Sequence, residues 1–474
     1  MRKLMRFTTG LAILAVLLAV TLSLLLLSTQ ETEDLTLTLS DRKVTDVRAV
    51  HLTNATGTLQ VGMAEGGYVI EDLPSEHVDI KQFIDFLGAC ADIRYLPLVV
   101  KKPDNLAVYG LDAPRAVLNV EYTDGATISL SLGMQEPISG DSYCTAEGHD
   151  GVYLIESEQA DFFLLAKNDL LSLWVTPELA LSSALSALQD VTFVFKDRPS
   201  PIVILSVQAG NDAVKSAAIS FGAPTHLVLS AGLYELDATY GLQVLAPLCG
   251  MRGTTIVEQH LTSELEKEYG FDDPWLDVSF GYQNSAEEGM RYVLRFQPVG
   301  DDSSLFYVNV KGSPLVYMIN RQPFMDIEFE KLLLRWFLSP LLMDVNAIDI
   351  EMPESHRTFV LDQENPREPS ATMDGEPLAI DRFRLLFRLL GSAASDGRLL
   401  PAKEQPDEAP LMTITYRYPG EKHDDVMALY PEEDRRVRVY INGISEFSMK
   451  ESFVTRVSEA LEALNKDEDF DITW

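Results

Sequence analysis

The sequence is poor in cysteine and in basic residues. Its 474 residues include 3 cysteines, and 38 lysines and arginines stand against 72 aspartates and glutamates, which gives a formal net charge of -34. A disulfide framework is therefore excluded as the main source of stability for a chain of this length. Sequence-independent binding of nucleic acid is excluded as well, because it requires lysine and arginine to displace the counterions of the phosphates.

Familiar motifs for catalysis and cofactor binding are also missing. The sequence has no G-x-S-x-G nucleophile elbow, no phosphate-binding loop and no dinucleotide fingerprint. Its 7 histidines are scattered without an H-x-H or H-x-x-x-H pair, so we predict no metal ligands, no cofactor and no catalytic residue. The widely spaced Cys90, Cys144 and Cys249 are expected to be buried thiols, with a single disulfide bond as the alternative. Enzymatic activity is left open but is not favoured.

One long hydrophobic run is present, near the amino end. Residues 7–30 carry no charge, their strongly apolar part extends from Leu11 to Leu27, and three basic residues precede them. About 20 apolar residues are needed for a helix to cross a bilayer. We therefore predict a cytoplasmic basic stub at 1–6, a transmembrane anchor at 7–30, and an extracytoplasmic body on the outer side of the cell membrane. Cleavage of this run as a secretory signal is the alternative.

A six-residue motif occurs twice in the body. Tyr109-Gly110-Leu111-Asp112-Ala113-Pro114 is matched further along by Tyr269-Gly270-Phe271-Asp272-Asp273-Pro274. Each copy is followed by alternating apolar residues and by a hairpin pattern, which is typical of antiparallel strands. The positions that the copies share are our only candidate site residues: Tyr109, Gly110, Asp112, Pro114, Tyr269, Gly270, Asp272 and Pro274.

We interpret this motif as a determinant of the fold before a ligand site. Glycine permits a positive φ, aspartate can accept hydrogen bonds from backbone amides of a turn, and proline fixes φ where the chain enters a strand. The residue after the proline is Arg115 in one copy and Trp275 in the other, which argues against a shared chemical role.

The order of the predicted elements divides the body into three repeated units. We predict an α+β fold, with antiparallel sheets and packed helices, in a first unit at 42–178 and a second at 179–343. A third, divergent unit with an acidic tail is predicted at 344–474.

Helices are predicted where each unit closes. Residues 159–173 and 326–338 are expected to be helical after the hairpins of the first two units. In the third unit, Ser448 and Glu451 have the spacing of a capping box, which predicts the start of the last helix.

The first copy of the motif, the strand after it, Gly125 and the hairpin that ends at Val152-Tyr153-Leu154 resemble the bacterial domain-of-unknown-function family 4340. The resemblance extends over about 42–345, and the third unit follows it only in pattern. Members of that family typically have an amino-terminal membrane segment and are often encoded beside ABC-type transporters. The resemblance implies no established activity and no catalytic residues, but it implies an exported companion of a transport system.

Three classes of function follow. The first is a membrane-anchored extracytoplasmic binding or scaffold protein whose partners are the membrane and the subunits of an ABC-type transporter. The main alternative is a structural or adhesive surface protein. The third is a cell-envelope hydrolase, which the many scattered carboxylates permit without indicating a site.

Overall fold

The protein is described by a computed structural model that covers residues 36–178, 184–282, 290–300, 302–365, 367–420 and 423–474. The predicted stub at 1–6 and the predicted anchor at 7–30 lie outside these residues. Among the helices that the structure describes, none is both long enough and apolar enough to cross a membrane. The chain divides into two compact units, with the division between Ser172 and Leu173.

The first compact unit contains a nine-stranded antiparallel sheet, here the first sheet. In chain order its strands and helices are β1 (Thr36–Leu37), β2 (Ser40–Asp41), β3 (Val47–Asn54), β4 (Gly57–Ala64), β5 (Gly67–Ile70), α1 (Ile80–Ala91), β6 (Asp92–Ile93), β7 (Leu96–Val100), β8 (Ala116–Tyr122), β9 (Thr127–Gln135), β10 (Ser142–Ala146), β11 (Val152–Ile155) and α2 (Ser157–Phe162). The strand order is β1-β7-β11-β10-β9-β8-β3-β4-β5, and β2 pairs separately with β6.

The second compact unit begins with another nine-stranded sheet, the second sheet. Its elements are α3 (Ala184–Ala187), β12 (Val191–Phe195), β13 (Ile202–Ser206), α4 (Asp212–Ala218), β14 (His226–Leu229), β15 (Leu233–Glu235), α5 (Ala238–Leu245), β16 (Thr255–Glu258), α6 (Ser263–Glu268), β17 (Leu276–Tyr282), β18 (Met290–Val299), β19 (Asp302–Val310), β20 (Val316–Asn320) and α7 (Phe329–Leu332). The strand order is β15-β14-β13-β12-β17-β18-β19-β20-β16.

The third sheet belongs to the same compact unit as the second. Its elements are β21 (Ala347–Met352), β22 (Ser355–Asp362), β23 (Ser370–Met373), β24 (Glu376–Leu378), α8 (Ile380–Leu390), β25 (Lys403–Glu404), β26 (Met412–Arg417), β27 (Asp425–Glu432), β28 (Arg436–Ile441), β29 (Ile444–Lys450) and α9 (Ser452–Lys466). The strand order is β24-β23-β22-β21-β26-β27-β28-β29-β25.

The three sheets share one topology. In each sheet, an opening meander (β3–β5, β12–β15 or β21–β24) forms one half. A four-stranded closing meander (β8–β11, β17–β20 or β26–β29) lies beside it. A single strand that follows a helix (β7, β16 or β25) pairs with the last strand of the closing meander, towards the far edge. The first strand of the opening meander pairs with the first strand of the closing meander, as β3 with β8, β12 with β17, and β21 with β26. The predicted α+β class with antiparallel sheets is confirmed. The unit boundaries at 178/179 and 343/344 stay predictions.

Alternation along the strands explains which face of the first sheet is buried. In β3, Val50 and Leu52 are almost wholly buried, whereas His51 between them is exposed. In β8, Leu118 and Val120 are buried and Asn119 is exposed. Successive side chains of a strand point to opposite faces, so one face of the sheet is apolar and the other is polar.

The helices predicted at 159–173 and 326–338 are wrong in extent. α2 ends at Phe162, and α7 covers only Phe329–Leu332. At the residue after α7 the chain is already extended, and Leu334 N–H donates a hydrogen bond to Glu235 O at 2.8 Å. Pairing with an edge of the second sheet therefore replaces the helix, which is how tertiary context overrides a local apolar pattern.

The predicted capping box is also wrong. Ser448 lies inside β29, where it is paired with Arg438 of β28, and α9 starts at Ser452 with Glu451 as its N-cap residue. The Ser448 hydroxyl donates instead to the Asp396 carboxylate. The spacing was present, but strand pairing occupies the backbone that a cap requires.

All three cysteines are free thiols. Cys90 and Cys144 are buried, and Cys249 is half-buried. Burial raises the pKa of the Cys144 thiol to about 12, so this side chain is protonated at neutral pH and packs as a small apolar group.

A buried carboxylate joins the second and third sheets. Glu446 of β29 accepts hydrogen bonds from the hydroxyls of Ser230 and Tyr234, at 2.6 and 3.0 Å, and from the backbone N–H groups of Ala231 and Gly232. Removing one partner of such a buried, fully bonded charge is costly. This contact is one of those that hold the two sheets in one compact unit.

Candidate functional site

The first copy of the repeated motif forms a helix end with a left-handed glycine. Tyr109 is the last residue of a 3-10 helix that starts at Leu106, and Gly110 has a φ of 66°. Gly110 N–H donates to Ala107 O and Leu111 N–H donates to Leu106 O, both at 3.1 Å. Glycine is the residue best suited to such a helix end, because other side chains are strained at positive φ.

The second copy repeats this geometry at the end of α6. Gly270 has a φ of 77°. Its N–H donates to Lys267 O at 3.1 Å, and Phe271 N–H donates to Glu266 O at 2.7 Å. Both copies therefore close a helix with the same two hydrogen bonds, and both bury the residue after the glycine, Leu111 or Phe271.

The motif tyrosines occupy equivalent positions as well. Tyr109 makes an edge contact with Tyr143 of β10 at 5.1 Å between ring centroids, and Tyr269 makes the same contact with Tyr307 of β19 at 5.0 Å. Partial removal from water raises the pKa of Tyr269, and the nearby Glu258 carboxyl raises it further. Each pair fastens the helix end to the third strand of the closing meander.

The motif aspartates do not accept the backbone hydrogen bonds that are expected of an aspartate in a turn. Asp112 and Asp272 are exposed, and in the part of the chain that the structure describes neither carboxylate has a hydrogen-bond partner. Pro114 and Pro274 are half-buried just before the first strand of each closing meander. The structure thus brings Tyr109, Gly110, Asp112 and Pro114 together as one turn, and Tyr269, Gly270, Asp272 and Pro274 as another. Among the described residues, we find no charged or polar side chains that converge on either turn.

A different place in the first compact unit has the form of a binding site. The polar face of the first sheet carries a groove with a volume of about 760 Å³. Binding pockets for small ligands commonly have volumes of about 300–1,000 Å³.

The floor of the groove is a row of hydrogen-bonding side chains on four neighbouring strands and on the residue that follows a fifth, which we call the polar row. His51 is directly opposite Gln60 on β4 and Asn119 on β8, and Asn119 is opposite Ser129 on β9. Glu147, which follows β10, continues the row because its N–H donates to Ser129 O at 2.9 Å. With about 4.8 Å between strands, the row spans roughly 19 Å.

The side chains of the polar row are available for a ligand. Four of them are exposed and Ser129 is half-buried. Within the described ranges, none of the five side chains forms a hydrogen bond or an ion pair with another protein group. An amide, a hydroxyl, an imidazole and a carboxylate offer both donors and acceptors at one level of the sheet.

A second groove, of about 810 Å³, lies on the third sheet and is internally paired. Arg436 forms an ion pair with Asp396. Arg438 is buried and donates to Ser445 Oγ at 3.1 Å and to Pro401 O at 2.5 Å. Because its central cations already have protein partners, this groove offers fewer free groups than the polar row.

The polar row was not predicted from the sequence. Each strand alternates clearly, but His51 and Asn119 are far apart in sequence and only the pairing register puts them side by side. The signal that could have drawn attention to it is the chemistry of the outward positions at this level of β3, β4, β8 and β9, which are two amides, a hydroxyl and an imidazole.

Residues 72–208 match the model of one protein family, described as Domain of unknown function (DUF4340). The range includes the first copy of the motif and strands β8 to β11, so the resemblance predicted from those residues is confirmed there. Its extension to about 42–345 stays a prediction. Neither the curated proteins nor the solved structures include a match to this chain.

Proposed function

We propose that the chain is a membrane-anchored, extracytoplasmic binding or scaffold protein that serves an ABC-type transport complex. The polar row carries this proposal, as the surface that binds an extended segment of a partner protein. The anchor at 7–30 would hold the body at the outer side of the membrane, and no cofactor or nucleic acid would be involved.

The dimensions of the polar row support a peptide ligand. A row of roughly 19 Å corresponds to about six extended residues, at about 3.3 Å per residue. Free donors and acceptors can pair with the peptide groups of such a segment, and each hydrogen bond contributes about 0.5–1.5 kcal/mol. Specificity would then come from Glu147 at one end of the row and from Glu121, two residues beyond Asn119 on β8, because both line the groove.

Charge supports a basic partner. The chain has a net charge of -34, so its surface attracts cationic segments and repels acidic ones. We expect the complex to weaken as salt rises, because exposed charges are screened within about 10 Å at 0.1 M ionic strength.

The proposal is tested by affinity purification of the full chain after mild solubilisation of membranes. Wild-type protein should recover transporter subunits, whereas a triple variant of the polar row, His51→Ala with Asn119→Ala and Glu147→Ala, should recover at least about tenfold less. The matched control is Lys81→Ala with Asp85→Ala, which removes an exposed ion pair of α1 and should leave recovery unchanged.

Three outcomes would count against the proposal. Repeated recovery of no membrane partner by the wild-type chain would remove the transporter role. Full recovery by the triple variant would remove the polar row as the binding surface. Separately, protease added to intact cells should digest the carboxy-terminal portion, and protection of that portion would invert the topology.

A further inference from the structure

A serine, a histidine and a buried aspartate meet at the junction of the second and third sheets. Ser216 belongs to α4, Asp425 is the first residue of β27, and His423 precedes it by two residues. Ser216 Oγ lies 3.0 Å from His423 Nδ1, although the two residues are 207 positions apart in sequence. His423 Nε2 lies 3.4 Å from Asp425 Oδ1.

The aspartate is held in one orientation. The Asp425 side chain is fully buried, with an exposure of 0%. Tyr418 OH donates to its Oδ2 at 2.6 Å and Asn442 Nδ2 donates to its Oδ1 at 3.0 Å. Because carboxylate oxygens are acceptors, the proton of the neutral imidazole is assigned to Nε2, which leaves Nδ1 to accept from the Ser216 hydroxyl.

A small cavity adjoins this arrangement. It has a volume of about 190 Å³, and His423 and Asp425 belong to its wall. The rest of its wall is largely apolar and includes Phe221, Leu233, Leu338, Ile441 and Ile444. Ser216 itself does not line the cavity, but its neighbour Ala217 does, so this apolar space beside His423 has room for a short acyl chain.

We propose that Ser216, His423 and Asp425 form an acyl-transfer site that hydrolyses esters of short-chain carboxylic acids. A serine bonded to a histidine, with a buried carboxylate at ion-pair distance from the other ring nitrogen, is the arrangement that activates a hydroxyl nucleophile. In this site Ser216 is the nucleophile, His423 is the general base and acid, and Asp425 is a positioning residue.

The reaction balances without a cofactor. Ser216 Oγ bonds to the ester carbonyl carbon while its proton moves to His423 Nδ1. The bond from that carbon to the alcohol oxygen then breaks, and His423 returns the proton to the leaving alcohol. Water next adds to the acyl carbon and gives a proton to His423, and the carboxylic acid leaves as that proton returns to Ser216. One ester and one water yield one acid and one alcohol.

This activity is independent of the proposed scaffold function. The polar row belongs to the first compact unit, whereas the acyl-transfer site belongs to the second. Loss of transporter recovery and loss of ester hydrolysis would therefore be separate results.

The test uses the purified full chain with a fluorophosphonate probe and with 4-nitrophenyl butyrate. Wild-type protein should be labelled at Ser216, as read by mass spectrometry of tryptic peptides. Ser216→Ala should abolish this labelling and lower the rate of hydrolysis at least about 100-fold. The matched control is Ser458→Ala, a half-buried helical serine of the same compact unit, which should retain both signals.

A second variant separates activation from mere exposure of a serine. The His423 side chain is 45% exposed, so His423→Gln should fold normally, as circular dichroism would verify, and should slow labelling of Ser216 at least about 100-fold. Asp425→Asn should lower kcat more than it changes KM, because the imidazole loses its orientation but the acyl cavity stays. Labelling only at other serines, or labelling of Ser216 at an unchanged rate in His423→Gln, would overturn the proposal.

Discussion

The two copies of the repeated motif have the same backbone but face different residues. Gly110 and Gly270 both adopt positive φ, and the same pair of backbone hydrogen bonds closes each helix end. Opposite the first turn stands Gly133 of β9, and opposite the second stands Gln297 of β18. The motif therefore determines the turn, while the neighbouring strand determines how closely that turn is packed.

The first copy is packed backbone against backbone. A Cβ atom on Gly133 would lie 2.2 Å from Tyr109 O, and a Cβ atom on Gly110 would lie 2.9 Å from Met134 N. The second copy is covered by a side chain instead. Gln297 Oε1 accepts from Trp275 N–H at 2.8 Å, and the same side chain lies over Gly270.

The largest expected effect is that of Gly133→Ala. Its new Cβ would meet a backbone oxygen that cannot rotate away, so we expect the free energy of unfolding to fall by about 3 kcal/mol. Urea unfolding of the full chain measures the loss, and hydrogen exchange of the Leu111 amide would localise it to this turn. The control is Gly62→Ala in β4, where a Cβ meets nothing within 4 Å. An equal effect of both changes would contradict the close packing.

The next effect separates the two motif glycines. We expect Gly110→Ala to lower the free energy of unfolding by about 2.5 kcal/mol and Gly270→Ala to lower it by about 1.5 kcal/mol. Strain at positive φ contributes to both losses. Gly110 would additionally press on the backbone of Met134, whereas Gly270 would press on the movable end of Gln297. Comparison of the two urea midpoints checks the difference, and a reversed order would show that Gln297 is held as rigidly as a backbone.

A double-mutant cycle sharpens the same contrast. Truncation by Gln297→Ala removes the group that a Cβ on residue 270 would strike, so Gly270→Ala with Gln297→Ala should cost about 0.5–1 kcal/mol less than the sum of the single changes. Gly110→Ala with Met134→Ala should be additive, because the nearest atom there is the backbone nitrogen of Met134. Additivity in both cycles would remove the proposed difference between side-chain and backbone packing.

A smaller effect is expected from the tyrosines. Tyr109→Leu and Tyr269→Leu each remove one edge-to-face ring pair, which contributes about 0.5–1.5 kcal/mol beyond the buried area. The two pairs have nearly the same centroid distance, 5.1 and 5.0 Å, but Tyr269 also stacks on Phe271 at 5.9 Å, so Tyr269→Leu should lower the free energy of unfolding more. Thermal unfolding followed by near-ultraviolet circular dichroism compares the two losses, and a larger loss for Tyr109→Leu would contradict this expectation.

The smallest effect is expected at the aspartates. Asp112→Ala and Asp272→Ala should each change the free energy of unfolding by less than about 0.5 kcal/mol, because both side chains are exposed and neither has a partner among the described residues. A loss of partner recovery without a loss of stability would assign these carboxylates to binding rather than to the fold.

Much of the fold could be predicted from local pattern. The alternation in β8 and β17 predicts antiparallel strands, and the shared Tyr-Gly turn predicts that these strands start equivalent meanders. Predictions failed where a short pattern had to compete with long-range pairing. The segment after α7 forms a hydrogen bond to Glu235 instead of continuing as a helix. Ser448 pairs within the third sheet instead of capping the last helix.

The candidate sites could not be predicted from local sequence patterns. The polar row depends on the register that places His51 beside Asn119. The contact between Ser216 and His423 depends on how the second and third sheets pack. Neither the strand register nor the packing of the sheets can be predicted from the residue spacing within a single segment, because both depend on contacts between residues far apart in sequence.

Residue types alone account for the acidic charge, and short stretches of sequence account for the apolar amino-terminal run, the repeated turn and the alternation of the strands. Long-range packing determines which polar groups are free, which carboxylates are buried, and which glycine faces a backbone rather than a side chain. Those outcomes depend on the packing of one strand or sheet against another, where a shift of one residue exchanges the buried face for the exposed one.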